Sequence, residues 1–232
     1  MKKAVMFGLC LAGVLLNMGF YRLVVDIAGL HLYVDTVFTI AITLSCGLWW
    51  GMLCGALTNL IGHSITMWGW EGYLFTLCSI ATALVTWLFM RLFPRDLDLT
   101  AERRAHSAAL TGKRFNSRRL SAAIEKTIAL ILLSFALCLA MSILGGLIAS
   151  FIQLIHPSYE KNPLHLSVFP MFGNNLPPVF MEILSRIPIN IVDRLVSVFI
   201  GFGAAVLIKM GNEKLAMRKE QRREKKEEIS AR

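Results

Sequence analysis

The chain contains long apolar segments that carry almost no charge, and the longest of them follows Asp35. No Asp, Glu, Lys or Arg occurs between that residue and Met67. An α-helix rises about 1.5 Å per residue, so about 20 apolar residues cross a hydrocarbon core of about 30 Å. The segment is too long for one crossing, and it predicts two short spans that turn near residues 46–51.

Similar segments occur along the rest of the chain, and together they predict six transmembrane helices. Composition agrees, because only 17% of the residues are charged, whereas soluble domains contain about a quarter. The first segment begins like a secretory signal, but no small-residue cleavage site follows it, so we expect it to be retained. The sequence therefore predicts an all-α integral membrane protein, a helical bundle with spans at residues 4–20, 35–47, 50–67, 73–93, 127–155 and 188–209.

Basic residues indicate the orientation of these spans. They gather at Lys2 and Lys3, in the segment 91–126 and in the tail after Lys209. Cytoplasmic loops of membrane proteins carry an excess of Lys and Arg. Six spans place the N-terminus, a basic loop at 94–126 and a charged tail at 210–232 on one side. We therefore predict a multi-pass protein of the cell membrane with both termini in the cytoplasm.

The net charge of +9 does not indicate nucleic-acid binding. A nucleic-acid binder places its basic residues on one folded face, interleaved with aromatic side chains, whereas here they bracket apolar spans. In the tail, basic and acidic residues alternate, which predicts a charged helix or a frayed end held near the lipid headgroups. Membrane lipid is an expected partner, and nucleic acid is not.

No catalytic motif occurs in the chain. A P-loop, a His-Glu-x-x-His metal motif, a nucleophile elbow and a dinucleotide fingerprint are all missing from the sequence. The five cysteines lie within or beside apolar segments without a Cys-x-x-Cys pair, which favours small packing residues over a metal or redox site. We expect no enzyme activity, cofactor or metal site, and any uphill transport must use an ion gradient or another subunit.

Polar residues form a stripe along the last span. On one unbroken helix they fall within an arc of about 80°. The stripe favours an outward-facing solute cavity; the alternative is an internal salt bridge that only stabilises helix packing. In the first case, Asp193→Ala would weaken binding and leave folding largely intact. The candidate solute-binding residues of this segment are Glu182, Arg186, Asn190, Asp193 and the adjacent Arg194, with Ser197 on the same arc.

Two further candidates for solute binding lie in the second and third spans. Asp35 precedes an apolar helix, so it is either a solute ligand or an N-cap. Asn59 lies one turn from His63, but a metal site would need more ligands of that kind. The aromatic residues that follow indicate an interfacial belt, with stacking on a ligand as the alternative: Trp68, Trp70 and Tyr73.

Small residues recur at every fourth position of the first span, at Ala4, Gly8 and Ala12. Such a strip allows another helix to approach closely. The approaching helix belongs either to this chain or to a partner protein.

Two segments resemble the substrate-binding (S) components of energy-coupling-factor transporters. They are LYVDTVFTIAITLSCGLWWGMLCGALTNLIG, from Leu32 to Gly62, and RIPINIVDRLVSVFIGFGAA, from Arg186 to Ala205. S components typically carry an Ala-x-x-x-Ala strip on their first span that docks on a transmembrane coupling subunit. Ala4, Gly8 and Ala12 match this strip except for the glycine in the middle.

The resemblance implies a subunit that captures a vitamin or related micronutrient from outside. Its partners would be the transmembrane coupling subunit and two ATPase subunits, and its fold an S-component-like bundle. The substrate itself is not readable, although the lack of an N-terminal His cluster argues against metal uptake. The alternatives are a ligand-binding membrane sensor and, less favoured, a polytopic membrane enzyme that acts on lipid.

Overall fold

The described residues form six α-helices and no strands. In this computed structural model they are residues 3–29, 32, 34–66, 69–93, 117–156 and 176–230. A π-helical turn, Leu23–Ile27, follows the first helix, and 3₁₀-helices precede the second and the fourth, at Val34–Thr36 and Trp70–Phe75. The all-α membrane fold is thus confirmed. The helices are α1 Lys3–Arg22, α2 Val37–Cys46, α3 Leu48–Thr66, α4 Thr76–Leu92, α5 Ser117–Ile155 and α6 Pro178–Ser230.

Four helical segments in the described residues are long and apolar enough to cross a membrane. They are Lys3–Ile27, Trp70–Leu92, Ala123–Ile155 and Pro178–Arg218. The ten residues of α2 reach only about 15 Å, which is about half of a hydrocarbon core. Six membrane crossings are therefore not confirmed, although the chain does form six helices.

The last two helices extend beyond the predicted spans. Helix α5 begins at Ser117, within the predicted basic loop, of which residues 94–116 lie outside the described part of the chain. Helix α6 begins at Pro178, passes through Pro188 and continues to Ser230, so the predicted charged tail is helical. The polar stripe of the last span therefore lies on one continuous helix.

Consecutive helices alternate in direction. Helices α1 and α3 run parallel, since the Cys10 thiol reaches the Trp50 carbonyl (3.7 Å) and Asn17 bonds to Thr58 (3.2 Å). Helices α5 and α6 are antiparallel, since Asn190 bonds to Ser142 (2.9 Å) and the Lys126 ammonium lies over the Phe202 ring at the other end of the pair. As a result, the starts of α1 and α5 lie at the same end of the bundle as the Lys209 region of α6. This is the basic end.

Helix α2 occupies the centre of the bundle. Its residues 39–44 are buried without interruption, which includes every face of the helix. A helix that is apolar on all sides is kept from water, either by lipid or by other helices, and here the other helices bury it. The buried Thr43 hydroxyl donates back to the Thr39 carbonyl (2.7 Å), so its burial leaves no donor unpaired. The short length of α2 follows from this position, because it does not need to reach either surface.

Asn17 connects α1 with the helices on either side. Its amide nitrogen donates to the hydroxyls of Thr39 on α2 (3.1 Å) and Thr58 on α3 (3.2 Å). Its amide oxygen accepts the backbone N–H of Phe38 (2.8 Å), in the first turn of α2, where no intrahelical partner exists. Sequence analysis did not single out this residue, although an isolated amide in an apolar span is a signal of such a network.

Buried side chains divide the bundle into two halves. Toward the basic end the core is apolar, and it includes Ile40, Leu133, Leu137 and Val198. Toward the opposite end the buried side chains are largely polar. We call this second region the polar half; its principal members are Asp35, Thr36, Asn59, Ser79, Ser142, Gln153, Glu182, Arg186, Asn190, Asp193, Arg194 and Ser197.

Glycines allow the closest helix contacts. Gly47 has φ +97° and ends α2, which permits the sharp turn into α3 at the predicted place. Gly201 lies against α2, where a Cβ atom would stand 2.7 Å from the Val37 carbonyl oxygen. Gly203, two residues later on the same helix, faces open space.

This difference predicts the outcome of two matched substitutions. Gly201→Ala should lower the free energy of unfolding by about 1–3 kcal/mol, because the added methyl group meets backbone that cannot move cheaply. Gly203→Ala adds the same methyl group without a contact and should leave stability unchanged. Thermal unfolding of both variants in detergent measures the contrast, and equal melting temperatures would contradict the α2–α6 packing.

Candidate functional site

Charged side chains are buried in the polar half of the bundle. Glu182, Asp193 and Arg194 are 2%, 0% and 4% exposed, and the side chain of Arg186 is 12% exposed. All four lie on α6, where Pro188 does not interrupt the helix. Burial of an unpaired charge lowers the stability of a protein by several kcal/mol. Charged residues at these positions therefore do not serve stability alone. The predicted stripe therefore faces the interior of the bundle.

Asp193 and Arg194 form the innermost ion pair. A nitrogen of the guanidinium lies 2.6 Å from a carboxylate oxygen, although the angles are not those of a hydrogen bond. The other terminal nitrogen of Arg194 donates to the Thr36 hydroxyl at the start of α2. The pair thus connects α6 with α2, which is the structural role that sequence analysis kept as an alternative for Asp193.

Glu182 and Arg186 form a looser pair nearer the start of α6. Their closest charged atoms are 3.8 Å apart. Gln153 on α5 donates to the Glu182 carboxylate, and the guanidinium of Arg186 lies 5.7 Å from the centre of the Phe75 ring. Arg186 therefore has two contacts, a carboxylate beyond hydrogen-bond distance and an aromatic ring. Neither accepts hydrogen bonds from all of its N–H groups.

Asp35 and Asn59 approach the α6 charges from the other side. The charges of Arg194 and Asp193 act on the Asp35 carboxylate, and the Asn59 amide lies close to it. The same amide donates to Ser79 on α4. Asp35 is not the N-cap of α2, since Thr36 occupies that position. The two candidates from the second and third spans thus belong to the same region as the stripe.

Asn190 belongs to the seam between α5 and α6. Its amide donates to the Ser142 hydroxyl at 2.9 Å, and the two helices come close because Gly146 lies against the Ile183 backbone. Residues that sequence analysis did not select therefore complete the region: Thr36, Phe75, Ser142 and Gln153. Among them, Gln153 is a lone amide in the fifth span and could have been noticed.

Several buried polar atoms of this region have no hydrogen-bond partner among the described residues. They are both carboxylate oxygens of Asp193, the Nε atoms of Arg186 and Arg194, and the hydroxyl of Ser197. Buried polar groups in proteins are nearly always bonded. One Asp193 oxygen lies in the ion pair with Arg194, so the hydrogen-bonding capacity left over in this region is that of the other atoms.

The remaining sequence candidates lie outside this region. Ala4, Gly8 and Ala12 are exposed, and a Cβ atom at Gly8 would contact nothing within 4 Å in the described structure. The close contact on α1 is made by Gly13 instead, which lies against Cys54 and Ile42. The predicted docking strip therefore does not pack against another described helix of this chain.

Two aromatic candidates, Trp70 and Tyr73, lie with His63 and His156 at the end of the bundle opposite the basic end. The His63 and Tyr73 rings meet edge to face, and a His156 nitrogen lies 3.3 Å from a Glu71 oxygen. Trp70 contacts the His156 ring; Trp68 lies outside the described residues. Within the described ranges, no three or more His, Cys, Asp or Glu side chains come together as metal ligands.

Comparison of the chain with protein-family models, curated proteins and solved structures finds no match.

The Asp193–Arg194 geometry predicts a loss of stability when one partner is removed. Asp193→Ala leaves the Arg194 charge unpaired and buried, and should lower the free energy of unfolding by about 3–5 kcal/mol. The double variant Asp193→Ala/Arg194→Gln removes that charge and should recover part of the loss, since the two effects are coupled. Thermal unfolding of the ligand-free protein measures both.

Asp26→Ala is the matched control for that experiment. It breaks an exposed pair with Arg22 (2.7 Å) at the same end of the bundle, where water screens the charges. Its melting temperature should equal that of the wild type. A double variant less stable than Asp193→Ala would contradict the coupling of the two residues.

Proposed function

We propose that this multi-pass membrane protein is the solute-binding subunit of an importer of the energy-coupling-factor type. The observation that carries the proposal is the polar half: charged side chains with unpaired donors and acceptors, enclosed by membrane-spanning helices. Polar groups in such a place are expensive, and in membrane proteins they mark solute or ion pathways. The solute would be a vitamin or a related micronutrient.

The orientation of the bundle supports capture from outside. Lys126 and Lys209 lie at the basic end, which the positive-inside rule assigns to the cytoplasm of the cell. Asp35, Arg186 and the other members of the polar half lie toward the opposite end. A solute would therefore reach them from the outer surface.

The exposed strip of α1 supports docking on a partner. Ala4, Gly8 and Ala12 form an exposed row of small residues, along which a partner helix can approach closely. A transmembrane coupling subunit with two ATPase subunits would supply the energy that the solute-binding subunit cannot obtain from ATP itself.

A membrane sensor is the second candidate, and α6 favours it. This one helix carries the buried charges and continues without a break to Ser230 at the basic end. A ligand that shifted Arg186 or Asp193 would move the charged tail with it. A sensor would bind its solute as an importer does, but would not purify with ATPase subunits.

Solute binding is the first property to test. Protein purified from its native membrane should carry a small molecule that mass spectrometry of the denatured sample identifies. Asn190→Ala should weaken its binding by up to about tenfold, because a hydrogen bond between the solute and the Asn190 amide, of about 1.5 kcal/mol at most, is lost. Binding measured by calorimetry should not change for the exposed control Lys214→Gln, and equal affinities for the wild type and Asn190→Ala would contradict this location.

Docking is the second property. Gly8→Leu places a large side chain on the exposed strip and should remove the ATPase subunits from a pull-down without changing solute affinity. Gly203→Leu is the matched control, since it too faces open space but lies on α6. Absence of ATPase subunits from the wild-type pull-down would contradict the importer and favour the sensor.

A further inference from the structure

The charged side chains of the polar half differ in their burial and in how closely they are paired. Asp193 and Arg194 are almost completely buried and lie 2.6 Å apart, so each already neutralises the other. Glu182 is buried and accepts a hydrogen bond from Gln153. Two of the charged residues are only partly buried, Asp35 and Arg186. They are the most exposed charged residues of the polar half, and so the candidates for contact with a solute.

Asp35 is a carboxylate without an ion pair among the described residues. Arg194 is the cation whose charge acts on it, but that guanidinium is engaged by Asp193 and by the Thr36 hydroxyl. The Asn59 amide beside it carries no charge. The negative charge of Asp35 is therefore only partly neutralised within the protein. A cationic nitrogen of a solute would neutralise the remainder.

Arg186 has the opposite deficit. Its carboxylate partner Glu182 stands 3.8 Å away, and its Nε atom is buried without a partner in the described structure. The Phe75 ring lies beside the guanidinium and leaves the N–H groups in its plane available. A guanidinium in this state binds anionic oxygens well, because its fork donates two parallel hydrogen bonds.

The two groups lie near the same part of α4. Arg186 contacts Phe75, and Asn59 donates to Ser79, four residues further along and so on the same side of the start of α4. The charges of Arg186 and Asp35 also both act on Cys78, which lies between Phe75 and Ser79 in the chain. A compact solute beside α4 is therefore able to meet both charges at once.

We infer that the solute of this site carries both a cationic nitrogen, bound by Asp35, and an anionic oxygen group, bound by Arg186. This inference rests on the proposed solute-binding function. A solute with a single charge would satisfy one residue and leave the other incompletely compensated in a medium of low dielectric, which costs affinity. A zwitterion compensates both charges and adds no net charge to the bundle.

The first experiment identifies the charge of the bound molecule. Wild-type protein and an unrelated membrane protein are purified identically, and compounds enriched with the wild type are identified by mass spectrometry. An enriched zwitterion supports the inference. An enriched neutral or singly charged compound leaves the solute-binding function standing and overturns the inference. Enrichment of no compound overturns both.

The second experiment assigns each charge to its residue. The recovered compound is compared with its N-acetyl derivative, which lacks the cation, and with its methyl ester, which lacks the anion. Wild-type protein should bind each derivative about tenfold to 150-fold more weakly than the parent. Asp35→Asn should abolish the discrimination against the N-acetyl derivative alone, and Arg186→Gln the discrimination against the ester alone.

Matched controls separate binding from folding. Both substitutions preserve side-chain size approximately, and Asp26→Asn removes an exposed carboxylate at the same end of the bundle without touching the site. Asp26→Asn should keep the wild-type pattern. A pattern in which Asp35→Asn and Arg186→Gln discriminate as the wild type does, at unchanged melting temperature, would overturn the assignment.

Discussion

The burial of α2 on every side is the constraint on which the rest of the structure depends. A helix of ten residues is too short to cross the membrane alone, and the other helices enclose this one. Asn17 fixes its first turn from α1, and Arg194 reaches its N-terminal end from α6. The arrangement places the start of α2, and Asp35 with it, beside the charged part of α6.

The polar half is unfavourable for stability and is therefore informative about function. Hydrophobic side chains of similar volume at Asp193 and Arg194 would often give equal or greater stability. The core toward the basic end is built in this way, with Leu133 and Val198 among its members. The cost is confined to one end of the bundle, away from the basic end. Under the proposed function, the polar half is the end that would meet the solute.

Sequence patterns predicted the helical membrane fold and the stripe on α6, because both depend on local periodicity. Asp35 and Asn59 were also selected, since a polar residue in an apolar span is visible without a structure. The hydrogen-bond partners of the α6 residues were not predicted. Arg194 bonds to Thr36 and Glu182 to Gln153, and such pairings depend on how helices distant in sequence pack together. The span count was the weakest expectation, because a short apolar run such as α2 fits a buried helix as well as a crossing.

The continuity of α6 relates the two ends of the molecule. Pro188 lies between the loose pair at Glu182 and Arg186 and the tight pair at Asp193 and Arg194. A proline removes one backbone hydrogen bond and so makes a helix easier to bend at that point. The part of α6 after Pro188 is held against α2 through Thr36 and Gly201. Bending at Pro188 would therefore change the position of Glu182 and Arg186 relative to Asp193 and Arg194, and a rigid α6 would transmit the same displacement to the tail.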